Sequence, residues 1–353
     1  MMRLPGFRYR SPRSVEEAVR ILAGEGPQAS VIAGGTDLLP NMKRRHQLPR
    51  TLVSLSRIDE LRARRNGDGL VLGAGLTLTD VVEDARVQRA YPALWQAAAQ
   101  IATPHLRNMG TLGGNLCLDT RCTYYNQNHE WRAAISYCMK CEGQTCWVAP
   151  ASKRCLAVSS TDTAPALVAL DARVTLRSVD GERELAASEL FHNDGIDYLN
   201  RRPGEILTAV RLGSRPNRRS AYWKLRRRGS FDFPVLSVAA AATLDGDGTV
   251  ADARIVLGAV ASRPLFAERA SEELVGRPLD DDAIATAAAE AAKSAKPMDN
   301  TDFSLHWRKR VAAAFVGYAL RELRGDDMRG PRRTLTRWNP GAIASNLHPD
   351  GST

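Results

Sequence analysis

Hydrophobic and polar positions along the chain switch between two periods, and the switches mark out its elements. Over 14–23, Val15, Ala18, Val19 and Leu22 recur at helical spacing, and Ser14 with Glu17 makes a Ser-x-x-Glu box, which predicts a short amphipathic helix. After a Gly/Pro break at 24–27, the run 29–33 is β-like and ends in Gly34-Gly35-Thr36-Asp37. Further β-like runs fall at 51–55 and 70–72. Thr79 is placed to cap a helix from Asp80. The stretch 92–102 reads as another helix, because Pro92 suits a first helical position and Pro104 blocks continuation.

Beyond residue 116 regular periodicity is lost for about forty residues, a long loop by any standard. It resumes with a helix at 164–170 and strands at 173–176 and 205–211. The polar, proline-bearing stretch 214–217 suggests a boundary, and a second domain is expected to start near Ser220. There 235–244 and 251–260 flank Asp245-Gly246-Asp247-Gly248, which suits a tight antiparallel hairpin. Helices are expected at 265–275, 281–295 and 305–323, then an extended tail rich in Arg, Pro, Gly and Asn. The expected organisation is 1–216, with a self-contained insertion at 117–158, then 219–325, then a tail over 326–353.

A chain of 353 residues exceeds what one growing core supports, so two or three domains are expected. With 44% hydrophobic and 25% charged residues it is an ordinary globular composition. No apolar run reaches the length of a membrane span, and the N-terminus lacks the apolar segment of a secretory signal. A reducing, cytoplasmic location is expected. The net charge of +10 points to an anionic partner, while the short basic runs, such as 43–45 and 226–228, read as solvated faces.

All six cysteines lie in the irregular stretch, at Cys117, Cys122, Cys138, Cys141, Cys146 and Cys155, among Tyr124, Tyr125, Trp131, Tyr137 and Trp147. In a reducing compartment thiols grouped in this way are better explained by a metal than by disulfides. Zinc sites usually present two close pairs, which this spacing lacks. Iron–sulfur ligation needs four thiolates and tolerates irregular spacing. A metal core would also replace the hydrophobic core that so irregular a segment cannot build. His129 is a further possible ligand, although a hydrogen-bonded histidine is the simpler reading. Spacing alone leaves open which two cysteines are spare.

Two double-glycine turns, Gly34-Gly35 and Gly113-Gly114, offer backbone N–H groups that could approach a dinucleotide pyrophosphate closely. Neither fits GxGxxG, and no GxxxxGK[ST] loop exists, so Rossmann and P-loop readings are disfavoured. Lys224 could place a cation across a domain cleft from such a ligand. By sequence alone it reads as a surface lysine. A basic zinc-containing nucleic-acid-binding protein is a rival from another class, but it has no reading module and leaves both glycine turns unused.

Taken in order, Ala33-Gly34-Gly35-Thr36-Asp37-Leu38-Leu39, Arg107-Asn108-Met109-Gly110-Thr111-Leu112-Gly113-Gly114-Asn115 and Asp162-Thr163-Ala164-Pro165-Ala166-Leu167 resemble the FAD-binding subunits of the xanthine dehydrogenase and carbon monoxide dehydrogenase family of molybdenum hydroxylases. The resemblance covers about 3–325. It implies an α+β fold: a two-part FAD-binding domain of the vanillyl-alcohol oxidase (PCMH) type, then a domain like the C-terminal part of the carbon monoxide dehydrogenase flavoprotein. It also implies FAD contacts from Ile32, Ala33, Gly34, Gly35, Thr36, Asp37, Leu38, Ile101, Thr111, Leu112, Gly113, Gly114, Asn115, Asp162, Leu207 and Lys224. No residue of this chain is implied to be catalytic.

The long cysteine insertion departs from most of that family and looks like the β subunits of 4-hydroxybenzoyl-CoA reductases. That likeness implies one 4Fe–4S cluster on Cys122, Cys138, Cys146 and Cys155, with Cys117 and Cys141 spare. It further implies a dimer of heterotrimers with a molybdopterin-binding large subunit and a 2Fe–2S small subunit. Electrons would come from a ferredoxin-like donor and serve reductive removal of a phenolic hydroxyl in aromatic degradation. A flavoprotein subunit of an aldehyde or N-heterocycle hydroxylase is the near alternative. Neither nucleic acid nor a membrane is an expected partner.

Overall fold

Three sheets organise the molecule, whose computed structural model describes residues 3–336. The first contains β1 (Arg8–Arg10), β2 (Ala29–Ile32) and β3 (Thr51–Ser54) in the parallel order β1-β3-β2. Both outer strands meet β3 at Thr51, from Arg8 and from Ala29. The helix Val15–Glu25 packs Val15, Ala18, Val19 and Leu22 against Val53, Ile58 and Leu61. Ser14 caps it, its hydroxyl accepting from Glu17 N at 3.1 Å. The expected box is only half formed, because the Glu17 carboxylate accepts from Arg13 N instead.

The second sheet is antiparallel, with β4 (Arg64–Gly67), β5 (Gly69–Gly73), β6 (Arg173–Ser178), β7 (Gly181–Ala186) and β8 (Ile206–Leu212) in the order β4-β5-β8-β6-β7. Leu70, Leu72, Val174, Leu176 and Val210 pack with the helices Pro92–Ala99 and Thr163–Ala169. The helix expected from Asp80 starts earlier, at Leu78–Glu83, and Thr77, not Thr79, is its cap. Asp80 is the third helical residue of a complete capping box, receiving Thr77 N at 2.9 Å while Thr77 Oγ1 accepts from Asp80 N at 3.0 Å. The helix expected over 92–102 stops at Ala99, and Pro104 opens a turn of its own, Pro104–Arg107.

The third sheet runs β12-β11-β10-β9, all antiparallel, from β9 (Arg218–Leu225), β10 (Leu236–Leu244), β11 (Val250–Gly258) and β12 (Leu265–Phe266). The β10–β11 hairpin turns through the Asp-Gly pair as expected, with Gly248 at φ +86°. The helix expected over 265–275 is a correction: Leu265–Phe266 pairs with β11, and only Glu268–Glu272 is helical. Helices Asp281–Ser294 and Leu305–Arg324 cover one face. In the expected extended tail, Arg329–Thr336 is helical, and 337–353 lies outside the described residues.

This sheet is buried on both sides, and the period of two decides which core each residue joins. Ala221, Trp223, Val238, Ala240 and Ile255 pack with the C-terminal helices. Tyr222, Ala239, Ala241 and Val256 pack with the core of the second sheet. The alanines of β10 keep the two layers close. Between the helices Leu112–Leu116 and Thr163–Ala169 the insertion holds one short helix, His129–Ala134, and is pinched at its base where Arg121 and Val158 exchange backbone hydrogen bonds of 2.8 and 2.7 Å. No helix among the described residues is long and apolar enough to cross a membrane.

Candidate functional site

β2 delivers the chain into Gly34-Gly35, and the helix Leu38–Lys43 starts directly afterwards. Gly35 has φ +70°, the left-handed region glycine supplies cheaply. Gly34 is required for a different reason: a Cβ there would run into the Met109 carbonyl and lie 2.9 Å from Gly110 N. The first turn is therefore pressed against the approach to the second. Thr111 caps the second turn, its hydroxyl accepting from Gly114 N at 3.0 Å. Gly113 packs on Ala74, to whose carbonyl its N–H donates at 2.8 Å. Gly114 faces Ala33, 4.0 Å from where its Cβ would stand. The turns thus form two facing walls with Thr36 and Gly114 exposed.

The remaining predicted residues divide by what they touch. Asn115 is buried, and its Oδ1 accepts from Thr161 Oγ1, Thr163 N and Thr163 Oγ1 at 2.9, 3.1 and 2.7 Å, tying the second turn to the segment that carries Asp162. Asp37 is engaged by the Arg121 guanidinium and by Asn41 Nδ2. Ile32 is buried with Leu38 packed against it, and Leu112 is fully buried. Leu207 lies in the core on β8, beside Thr208, whose carbonyl receives Ala74 N at 2.9 Å. Ile101 packs on the same core, and its carbonyl accepts from Arg107.

Lys224 is not on the surface. Its side chain is 0% exposed and meets an Asp162 carboxylate that is 3% exposed, at 2.9 Å. Lys224 Nζ also donates to Gln100 O at 3.2 Å, and Tyr222 OH donates to Asp162 Oδ1 at 2.6 Å. Burial pushes the Asp162 carboxyl up and pulls the Lys224 ammonium down, while their mutual attraction opposes both shifts. Tyr222 and Arg226 were missed in the sequence. Tyr222 is two residues from Lys224 on one strand, so the alternation held the signal once both faces of that strand were known to be covered. Arg226 joins Lys224 on Gln100 O at 2.8 Å, and the following loop is held over Ala102 by Phe231 N at 2.9 Å.

The insertion gathers its cysteines unequally. Cys122, Cys138, Cys146 and Cys155 line one small chamber with Tyr124, Tyr125, Met139, Lys140, Trp147, Val148 and Ala157. Cys117 and Cys141 are not among its walls. Cys117 packs on the main core, and Cys141 Sγ receives Arg132 at 2.8 Å. Burial pushes the Cys122 thiol up to about 11 and that of Cys155 to about 12. His129 lies outside the chamber, 3.4 Å from the Tyr137 hydroxyl, and fits the hydrogen-bonded reading. Among the described residues no three His, Cys, Asp or Glu side chains converge closely enough to hold a single metal ion. Arg121 spans the two regions: next to Cys122 in sequence, it pairs with Asp37 and lies 4.9 Å from the Phe233 ring centre.

Comparison with known proteins agrees with this architecture. Residues 5–214 match the model of the FAD binding domain in molybdopterin dehydrogenase, and 220–323 match the CO dehydrogenase flavoprotein C-terminal domain. The chain is 33% identical to the aldehyde oxidoreductase FAD-binding subunit PaoB of Escherichia coli K12, over 77% of this chain and 86% of that one. It is 30% identical to the carbon monoxide dehydrogenase medium chain of Afipia carboxidovorans, over 90% and 96%. A carbon monoxide dehydrogenase structure from Hydrogenophaga pseudoflava, lacking the Mo-pyranopterin moiety, superposes with a TM-score of 0.76 at 28% identity, covering 90% of this chain and 97% of that one. The facing glycine turns, the two-layered C-terminal sheet and these matches together make the chain a member of the FAD-binding medium-subunit family of the xanthine and carbon monoxide dehydrogenase type of molybdenum hydroxylases.

Proposed function

We propose that this chain is the FAD- and 4Fe–4S-bearing electron-transfer subunit of a molybdenum enzyme of the 4-hydroxybenzoyl-CoA reductase type. The observation that carries the reading is the sorting of the cysteines, four of which face one chamber while Cys117 and Cys141 stand outside it. Four thiols around one chamber match in number the donor set that iron–sulfur ligation needs.

The residues present also fit FAD. Ile32, Ala33, Gly34, Gly35, Thr36, Asp37 and Leu38 on one wall, and Thr111, Leu112, Gly113, Gly114 and Asn115 on the other, would cradle the pyrophosphate and ribityl chain, with main-chain N–H groups offered by the first wall, since those of Leu112, Gly113, Gly114 and Asn115 already donate within the protein. Ile101, Asp162, Leu207 and Lys224 would close the site from beneath. The Asp162–Lys224–Tyr222 network acts as a rigid floor more than as a set of free ligands, because its groups already satisfy one another. FAD and the cluster supply electron transfer when bound, and the protein binds, orients and shields them.

In this reading the partners are a molybdopterin-binding large subunit and a 2Fe–2S small subunit, in a dimer of heterotrimers, with a ferredoxin-like donor outside. The net charge of +10 favours an acidic donor, and reduction by ferredoxin should then slow steeply with added salt. A second reading, the flavoprotein subunit of an aldehyde or carbon monoxide oxidising enzyme, is favoured by what the similar proteins are named for.

Anaerobic purification with the partner subunits tests the proposal. Flavin bands over a broad iron–sulfur absorption, about four irons per chain beyond those of the small subunit, and Cys138→Ser losing that iron while keeping FAD are expected. Unchanged iron in Cys138→Ser, or a colourless protein containing zinc, would overturn it. Aldehyde oxidation without dehydroxylation of 4-hydroxybenzoyl-CoA would select the second reading.

A further inference from the structure

Lys140 is the one charged side chain lining the cysteine chamber among the described residues. All three of its protons are placed. They go to Asp119 Oδ1 at 2.7 Å, to Thr120 Oγ1 at 2.7 Å and to the Gly195 carbonyl at 2.5 Å. The ammonium also lies 4.9 and 5.2 Å from the ring centres of Tyr125 and Tyr198. Asp119 takes a further hydrogen bond from Gln47 at 3.2 Å and does not reach the chamber wall. The pair is sealed from water, with side chains 6% and 5% exposed.

Stability alone is a weak reason for such a pair, because burying two charges costs about as much as their attraction returns. Its position offers a better one. The carbonyl that Lys140 grips belongs to Gly195, whose N–H donates to Cys155 O at 2.9 Å and whose Cα leaves no room for a Cβ, which would stand 2.7 Å from Cys155 Sγ. Lys140 therefore lines the chamber with its stem, holds its ammonium just behind the wall on Asp119, Thr120 and Gly195, and braces the backbone behind one of the four thiols. In a dry site a charge set behind the wall is poorly screened.

We propose that the buried Lys140–Asp119 pair sets the reduction potential of the iron–sulfur cluster held by Cys122, Cys138, Cys146 and Cys155. This rests on the cluster assignment above. The reduction in question adds one electron from an external low-potential donor, with no proton taken up and no iron–sulfur bond made or broken, so the chamber gains one negative charge. Lys140 favours that added charge. Asp119, the partner that does not line the chamber, tempers the effect, and potentials of such clusters respond to net charge and polar surroundings. Lys140 is thus a positioning and tuning residue with no contact to substrate.

The test is an EPR-monitored dithionite titration of the anaerobically purified complex, with iron counted per chain. Lys140→Met should make reduction at least tenfold less favourable, 59 mV for a one-electron couple. Asp119→Asn should shift it the opposite way, and Lys140→Arg should stay near the wild type. Shifts of the same sign in Lys140→Met and Asp119→Asn, or none in either, would overturn the inference. If Lys140→Met loses its iron, the opposite-signed shift in Asp119→Asn and recovery in Lys140→Arg decide the matter, and failure of both sinks it. Absence of this cluster's iron and EPR signal in the wild type would instead remove the cluster assignment itself.

Discussion

Replacing Asp162 by asparagine isolates the buried network beneath the proposed flavin site. The change keeps the shape but removes the negative charge that faces a lysine with no exposed side-chain surface. Lys224 would keep the Gln100 carbonyl and lose its only ion-pair partner among the described residues. Breaking a buried pair from one side costs about 3–5 kcal/mol, because the surviving charge is left uncompensated. For a domain of this size that amounts to a melting point lower by roughly 10 °C. Lys224→Met in the same chain removes the orphaned charge, and the double variant should regain most of the loss. The single variant should also recover with rising pH. Burial already lowers the lysine's pKa in the folded state, so the unfolded chain binds more protons and stability climbs as pH rises towards the ordinary lysine range. Calorimetry of the three proteins between pH 7 and 10 checks this. An Asp162→Asn protein within about 1 kcal/mol of wild type, or a double variant no better than the single, would refute the reasoning.

Gly34→Ala drives a methyl group into the Met109 backbone, which cannot swing aside as a side chain would, so FAD affinity should fall at least tenfold, about 1.4 kcal/mol. Gly24→Ala, where nothing stands within 4 Å, should leave flavin titrations unchanged. Gly195→Ala crowds Cys155 Sγ at 2.7 Å and Ala157 N at 2.8 Å, and should lower iron content while flavin content holds. Asp84 caps the helix Ala85–Ala90, and the Arg86 side chain holds its carboxyl below the ordinary 3.8. Asp84→Asn, which keeps the cap but removes the charge facing Arg86, Arg64 and the helix start, should therefore cost about 0.5 kcal/mol at neutral pH, and the gap in urea midpoints should close only as pH falls below that ordinary value.

Much of this was legible in the sequence wherever a local rule acts alone. The helix capped by Ser14, the hairpin at 245–248 and the long helices at 281–294 and 305–324 follow from periodicity and turn chemistry. Errors arose where two local signals competed. Thr77 and Thr79 are both plausible caps, and only the reciprocal bond to Asp80 chooses between them. Leu265–Phe266 carries apolar residues that a helix or an edge strand could use, and pairing with β11 decides. Lys224 misled for a deeper reason. A lysine between Trp223 and Leu225 reads as the wet face of a strand, and only the packing of that strand between two cores makes the face dry. The cysteine spacing did not announce which four converge, since that depends on how an irregular loop folds back on itself.

Arg121 constrains how such an insertion can be gained or lost in evolution and in the laboratory. Its guanidinium satisfies Asp37 in the first glycine turn from a position beside a chamber cysteine, so excising 117–158 would strip that aspartate of its counter-ion. A deletion therefore leaves Asp37, whose side chain is 29% exposed, to Asn41 and water, and a transplanted loop keeps this anchor only where the scaffold carries an acidic residue at that place.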